Sequence, residues 1–417
     1  MADTTTLDAI TKVFYVNNKV VDQVHNKSIL FDKTMKKRQT DVGGKNYTYA
    51  LRHGRNKYAG RGISDGGDYG TVGSQQVVNA VVPNAEIVTP IELSSRIVNA
   101  ADGAGKKAFI DAYQMEATNG MKDTVQALNR QIHSDGRDAL FFWTGADDSS
   151  GTNVDDGQGN GFPVHLESGA TTLDVIDASD NSTVLGNAIV VTKGAESSTA
   201  VAITWTGTVS GSADGDYAVM DNTLGKQMMG IRGIISASDP PLLAGGLHGL
   251  AVATYPNWVA QSNTNSGTNR TLTLELLQSP LTDIATRSGA SDADIDLMLC
   301  NGKVRDKIIA LLVADQRQVS PTKLKGGYMS IDFNGHPIVV DAQCRRNTMY
   351  YINTESLDFL TASGGLGWAS YNGVGIWKQK IGTSGYAAAY QAFITVEGNM
   401  ACNMRNANAV LGDLTDT

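Results

Sequence analysis

The sequence predicts an α+β protein of several domains, and three observations carry that reading. From Lys106 to His133, the residues Ile110, Tyr113, Ala117, Met121, Val125, Leu128 and Ile132 recur every three or four positions with no proline between them, the period of a helix with one apolar face. Elsewhere β-branched and aromatic residues fall in short alternating runs, and Asn334-Gly335 separates two of them in "GYMSIDFNGHPIVVD", the dipeptide a type I′ hairpin turn prefers. The chain also holds 45 glycines against nine prolines, which implies many turns and close backbone approaches.

Composition narrows the function classes. With 417 residues, 41% hydrophobic and 18% charged, the chain is long enough for two or three globular domains. A net charge of −8 argues against a surface that binds DNA or an anionic membrane as a whole. No apolar run approaches the roughly 20 residues of a membrane helix, and "MADTTTLDAITK" lacks the order of a signal peptide, so a cytosolic protein with no membrane contact is expected. Cys300, Cys344 and Cys402 are widely spaced and read as buried, reduced thiols. The six histidines include no pair at the i, i+4 spacing of a helical metal site, so no metal is expected.

The elements follow in order. Residues 1 to 48 contain "LDAITKVFYVNNKVVDQVHN" and the basic "DKTMKKRQTD", a partly helical arm. "KNYTYALRHG" and "QQVVNAVVPNAEIVTPIELSSRIVNA" are extended limbs around a glycine-rich tip, a long hairpin over 49 to 90. The tip gathers Arg52, Arg55, Lys57, Tyr58 and Arg61 on a stretch that can be neither helix nor core. Cations beside tyrosines suit a nucleic-acid groove, a solvated loop or an arm docking on another subunit, and local sequence does not choose among these.

Residues 91 to 145 hold the helix, about 40 Å long for its 28 residues at 1.5 Å each, with Gly136 as its stop signal. "ADDSSGTNVDDGQGNG", from residue 146, has clustered aspartates without EF-hand spacing and reads as a linker. It opens a β-rich insertion over 146 to 222, whose strand runs lie in 162 to 222. In 223 to 355 helices and strands alternate: Leu274, Leu277, Leu281 and Ile284 mark one amphipathic helix, kinked by Pro280, and Val304, Ile308, Leu311 and Leu312 mark another. Acidic residues after Ser291 suit a helix N-terminus. Residues 356 to 417 read as extended strands with a turn at Gly398-Asn399.

No GxSxG elbow, P-loop, dinucleotide-binding glycine motif or HExxH appears. Glu116 and Glu397 have no partner at a catalytic spacing and read as interface or surface charges. No catalytic residue, cofactor or enzyme activity is expected. A surface adhesin or polysaccharide-binding protein, with "DVIDASDNSTVLGNAIVVTKG" as its sugar-binding module, is the alternative from a different class, and it lacks paired carboxylates.

The order of arm, long hairpin, spine helix, α/β region and terminal strands resembles the major capsid proteins of tailed bacteriophages, which share the Hong Kong 97-type fold. The phrases that carry this are "TPIELSSRIVNAA" before the helix, "MMGIRGIIS" after the insertion, the axial stretch from "PNWVAQSNTNSGTNR" to "LMLCNGKVRDKI", and the final "MYYINTESLDFL" and "YQAFITVEGNMACNMRNANAVL". The likeness covers nearly the whole chain apart from 146 to 222.

The resemblance implies an N-terminal arm (1–48), an extended loop (49–90), a peripheral domain with its spine helix (91–145), the insertion, an axial domain (223–355) and a return to the peripheral domain (356–417). It implies a structural protein of the virion, assembled in the host bacterial cytoplasm as hexamers and pentamers of an icosahedral shell around double-stranded DNA that it does not bind by sequence. It further implies a separate scaffolding protein, a portal and, on some shells, a decoration protein. The cations of 52 to 61 would meet carboxylates on the next subunit. Some relatives join an extended-loop lysine to a neighbour's asparagine; Lys57 is the lysine best placed for that here, and the arginines around it favour ion pairing instead. The insertion is expected to face outward, clear of subunit contacts.

Overall fold

The computed structural model describes residues 29–36, 38–39, 46–70, 72–95, 106–146, 154–155, 166, 169–196, 201–243, 245–287, 294–314, 321–323, 329–369, 376–382 and 385–415. The aspartate-rich linker lies outside them except for Ala146, Val154 and Asp155, as do Ser291 and the residues beside it.

The peripheral sheet is built on one 18-residue strand, Gly385–Cys402. Leu357–Trp368 and the short Lys378–Gly382 pair antiparallel along it, Ala85–Ser94 takes its other edge, and Arg38–Gln39 joins Leu357–Trp368 in parallel. The turn expected at Gly398-Asn399 is absent. Gly398 lies inside the strand because a Cβ there would fall 2.6 Å from the Leu360 carbonyl oxygen, so the glycine serves a close strand approach. Ala85–Ser94, placed by sequence with the hairpin limb, pairs with the long strand from Ala85↔Gly398 to Ser94↔Ala389. The hairpin itself is Asn46–Gly54 paired with Gln76–Pro83.

The spine helix, Lys106–His133, crosses this sheet. Its buried face runs through Gly120, Thr124, Leu128, Gln131 and Ile132. A Cβ on Gly120 would run into Ile91 Cδ1, and Thr124 Oγ1 donates to Thr89 Oγ1 at 2.8 Å, so helix and sheet sit close where the helix side chains are small.

Among the described residues the axial sheet has seven strands, in the order Gln261–Asn263, Ala409–Leu411, Met349–Ile352, Leu297–Cys300, His336–Val340, Met329–Phe333 and Pro321–Lys323. Helices Leu274–Arg287 and Gly302–Ala314 bury Leu277, Leu281, Ile284, Val304 and Ile308 with Met298, Ile338 and Tyr351 of the sheet. Pro280 is buried within the first helix. The Asn334-Gly335 turn has φ of 52° and 84°, the left-handed pair a type I′ turn requires. The segment 356–417 therefore divides: its last strand, Ala409–Leu411, completes the axial sheet between Gln261–Asn263 and Met349–Ile352.

Among the described residues the insertion is a six-stranded sheet, ordered Val154–Asp155, Phe141–Trp143, Tyr217–Met220, Gly169–Ile176, Val184–Glu196 and Val201–Thr206. It starts with Phe141–Trp143, earlier than sequence places it, because that strand pairs with Tyr217–Met220. Its own core holds Phe141, Trp143, Leu173, Val191, Ile203 and Trp205. Two buried aspartates fix its turns: Asp174 accepts from the amides of Ala188 and Asn222, both at 2.9 Å, and Asp216 from Ala178 at 2.8 Å and Ala213 at 2.7 Å.

"MMGIRGIIS" is the junction of these parts. Gly230 lies against the end of the spine helix, where a Cβ would fall within 2.6 Å of the carbonyl oxygens of Gln131, Ile132 and Ser134. The Met229 amide donates to Asn399 Oδ1 at 2.8 Å, and Asn399 Nδ2 donates to the Pro83 carbonyl at 2.8 Å, so one asparagine ties junction, long strand and hairpin base together.

Candidate assembly surfaces

The hairpin divides into a seated base and a projecting tip. Alternation puts Tyr47, Tyr49, Leu51, Val78, Ala80 and Val82 on one face, and that face packs into the protein's own core. Tyr49 Oη donates to the Cys402 carbonyl at 2.5 Å, and burial pushes its hydroxyl well above the ordinary tyrosine range. The Val81 amide donates to the His248 carbonyl at 2.9 Å, and the His53 ring meets Tyr255 edge-on at 5.0 Å. The base thus belongs to its own subunit.

Beyond Gly54 the chain leaves the body. Asn56 Nδ2 donates to the Gly73 carbonyl at 2.7 Å and its Oδ1 accepts from the Tyr58 amide at 3.0 Å, which closes the neck of the tip. Arg55, Lys57, Tyr58 and Arg61 are all exposed here, while Arg52, placed by sequence on the tip, is exposed on the base strand opposite Val77, and Lys57 Nζ lies 5.3 Å from the centre of the Tyr58 ring. Among the described residues, none of the four cations pairs with a carboxylate of its own chain. Tyr69 and Val72 are 91% and 93% exposed, so apolar and cationic side chains project together. Such a mixture matches a protein partner better than solvent.

Of the expected spine core, Leu128 and Ile132 are fully buried, while Met121 and Val125 stay half-exposed. Ile110 and Tyr113 fall in the part of the helix whose side chains lie outside the described residues. The physical reason for the shift is that Gly120 and Thr124, which an apolar count passes over, occupy the face that meets the sheet. Glu116 is half-buried, and burial together with the nearby Asp123 carboxylate raises its carboxyl above the usual range.

The helix end is electrostatically dense. Arg130 holds Asp138 through two bonds of 2.7 Å. Burial pushes the Asp135 carboxyl up, and Arg232 and Arg137 overcome that and hold it down at about 2. The Arg137 guanidinium lies 4.9 Å from the Tyr217 ring and 5.2 Å from that of Phe142, which clamps the insertion to the helix end. Each of these charges is matched within the chain. Among the described residues no three His, Cys, Asp or Glu side chains converge as metal ligands would, and the three thiols are buried.

Sequence reasoning passed over one surface. Glu86 and Glu397 are directly opposite each other on paired strands, both exposed, and among the described residues neither pairs with a cation. They are 311 positions apart by their numbers, and only strand register brings them together.

No protein-family model matches the sequence, and no curated protein matches it. Solved structures do match. The chain is similar to a chain of the cyanophage A-1(L) capsid asymmetric unit, with a TM-score of 0.55 and 14% identity over 100% of this chain and 99% of that one. It is also similar to a chain of the holo-SrpI encapsulin complex from Synechococcus elongatus, with a TM-score of 0.49 and 8% identity over 99% and 96% of the two chains. A third similar chain, from Mycobacterium phage Bobi, has a TM-score of 0.46 and 8% identity over 99% and 98%. With its hairpin, spine helix, peripheral sheet and axial sheet in this order, and with the cyanophage capsid chain matched over its whole length, the protein has the Hong Kong 97-type capsid fold.

Proposed function

We propose that this chain is the major capsid protein of a tailed phage, which assembles as hexamers and pentamers into an icosahedral shell around double-stranded DNA. The observation that carries this reading is the projecting tip on a capsid fold: three exposed cations, Arg55, Lys57 and Arg61, and exposed apolar side chains on an arm whose base is anchored at home. An arm of this kind completes its contacts on a second copy. The half-buried Glu116 and nearby Asp123 on the spine helix and the Glu86 and Glu397 pair are carboxylates suited to receive it. A net charge of −8 fits a wall that encloses DNA without gripping it, since each neutralised phosphate would add to binding and slow packaging. The protein is read as structural, without catalysis or cofactor, and as working with a separate scaffolding protein, a portal and, on the outer face, a decoration protein.

Electron microscopy of the purified chain, expressed with and without phage scaffolding protein, tests the reading. Closed shells or capsomers are expected; a monomer under all conditions overturns it and returns the adhesin. Charge reversal at Arg55 or Arg61 is expected to raise the concentration needed for assembly, more so at low salt. Lys57→Arg is expected to be nearly silent, and boiled particles to run as monomer on a denaturing gel. A covalent ladder that disappears in Lys57→Arg would make Lys57 a cross-linking residue instead.

A further inference from the structure

The spine helix ends on a histidine that faces a carboxylate of the axial sheet. His133 is its last residue, and Asp341 follows the axial strand His336–Val340. Their side chains are 3% and 1% exposed, and His133 Nε2 lies 3.6 Å from Asp341 Oδ2. The second polar atom of each group is already engaged. His133 Nδ1 is 2.9 Å from the Asn129 carbonyl oxygen, which can only accept, so Nδ1 carries the hydrogen. Asp341 Oδ1 accepts from the Gln343 amide at 3.0 Å, and the Asp341 amide donates to the Cys300 carbonyl at 3.0 Å, which fixes the carboxylate to the axial sheet.

In the neutral ring Nε2 therefore holds a lone pair. Among the described residues it is buried without a hydrogen-bond partner, and the atom opposite it is a carboxylate oxygen. Two acceptors that face each other in a buried site cost free energy unless a positive charge enters between them. A metal ion needs more than two ligands, and among the described residues no three His, Cys, Asp or Glu side chains converge. One proton suffices.

We infer that His133 and Asp341 form a proton-dependent latch between the spine helix and the axial domain. When the ring takes a proton, Nε2–H donates to Asp341 Oδ2, and a buried, charge-assisted bond joins the two parts. When the proton leaves, that bond is lost and the two acceptors are opposed. Histidine is the side chain whose ordinary titration falls between pH 5 and 8, so the latch closes as pH falls through that range. The other charges near the pair are accounted for. On the helix end Arg130 holds Asp138 at 2.7 Å, and Asp135 has Arg137 at 2.7 Å and Arg232 at 3.7 Å. On the axial side Arg345 and Arg346 have interactions of their own, and Cys344 and Tyr350 stay neutral because burial pushes both well above their usual ranges. The latch is a property of the single subunit and does not depend on the assembly reading.

The test is a double-mutant cycle on the unassembled full-length chain: His133→Asn, Asp341→Asn and the double variant, unfolded in urea at pH 8, 6.5 and 5. The asparagine at 133 keeps a donor for the Asn129 carbonyl and lacks the atom that meets Asp341; the one at 341 keeps an oxygen for the Gln343 amide. Coupling between the two positions is expected to change the unfolding equilibrium constant less than about twofold at pH 8 and about tenfold or more at pH 5. Every other titrating group, His248 included, is common to the four proteins and cancels. Coupling that is equal at the three pH values marks a contact without a proton switch and overturns the inference. Should a variant fail to fold, the wild-type chain labelled with 15N-histidine decides, its rings assigned by through-bond correlation to the backbone. The His133 ring is expected to convert to imidazolium between pH 8 and 5, and a ring that stays neutral at pH 5 overturns the latch.

Discussion

Arg405 Nε donates to the carbonyl oxygen of Ile234 at 2.7 Å, across 171 positions of sequence. The side chain has no exposed surface, and its Nη2 also donates to the carbonyls of Ser236 and Ser238, each at 2.8 Å. One guanidinium thus supports the chain that leaves the spine-helix junction. Arg405→Leu strands the buried Ile234 carbonyl and removes the donor from those of Ser236 and Ser238 in part-buried bonds, at about 1–3 kcal/mol for a buried unsatisfied group, and is expected to cost about 3 kcal/mol in urea unfolding. Arg405→Lys cannot reproduce the fork and is expected to recover less than half.

Gly230 answers to the same junction from the other side. Its Cβ position is occupied by backbone carbonyls of the spine helix, which cannot rotate away as a side chain would. Gly230→Ala is expected to cost about 2 kcal/mol or more. Gly66, at φ 74° with nothing within 4 Å of its Cβ position, is the control: Gly66→Ala is expected to cost about 1 kcal/mol, from backbone conformation alone. Equal effects in thermal melts would mean that the junction is looser than drawn.

On the spine helix, Leu128 is fully buried and Val125 half-exposed. Leu128→Asp forces a charge into the core at a cost of several kcal/mol and is expected to give insoluble protein. Val125→Asp is expected to stay soluble as a folded chain. The opposite ranking in expression and solubility assays would restore the buried face that the apolar period suggests.

His248 supplies a pH dependence. Its Nε2 accepts from the Cys402 amide at 3.1 Å, which requires the neutral ring, and burial, reinforced by Arg405, holds its pKa down at about 3. The unfolded chain binds this proton near pH 6.5 and the folded one near 3, so stability is full above 6.5 and falls as pH drops through that window. At pH 5 the loss is about 2 kcal/mol at 1.36 kcal/mol per unit. His248→Asn suits the residue's φ of 56°, and its melting temperature is expected to fall less between pH 6.5 and 5 than that of the wild-type chain. Parallel curves would clear His248 of the effect.

The elements written in local pattern were legible in advance. The helix runs Lys106–His133 because its period is local and proline-free, and the Asn334-Gly335 turn follows from two residues that tolerate positive φ. Gly398 shows where local reading stops: a Gly-Asn pair looks the same whether the chain turns there or another strand crowds it, and here Leu360 decides. Met121 and Val125 show the same limit. Their spacing placed them on a helix face, but which face turns inward depended on the strand bearing Thr89 and Ile91.

The α+β class, the long helix, the cationic glycine-rich tip and the β-rich insertion could be read from the chain alone, because each depends on residues close together along it. It took the folded arrangement to show that the hairpin base is seated at home, that Ala409–Leu411 returns to the axial sheet, and that Glu86 meets Glu397 in register. Those relationships join residues hundreds of positions apart. Their energy comes from strand register and close packing, which do not exist until the distant segments have met.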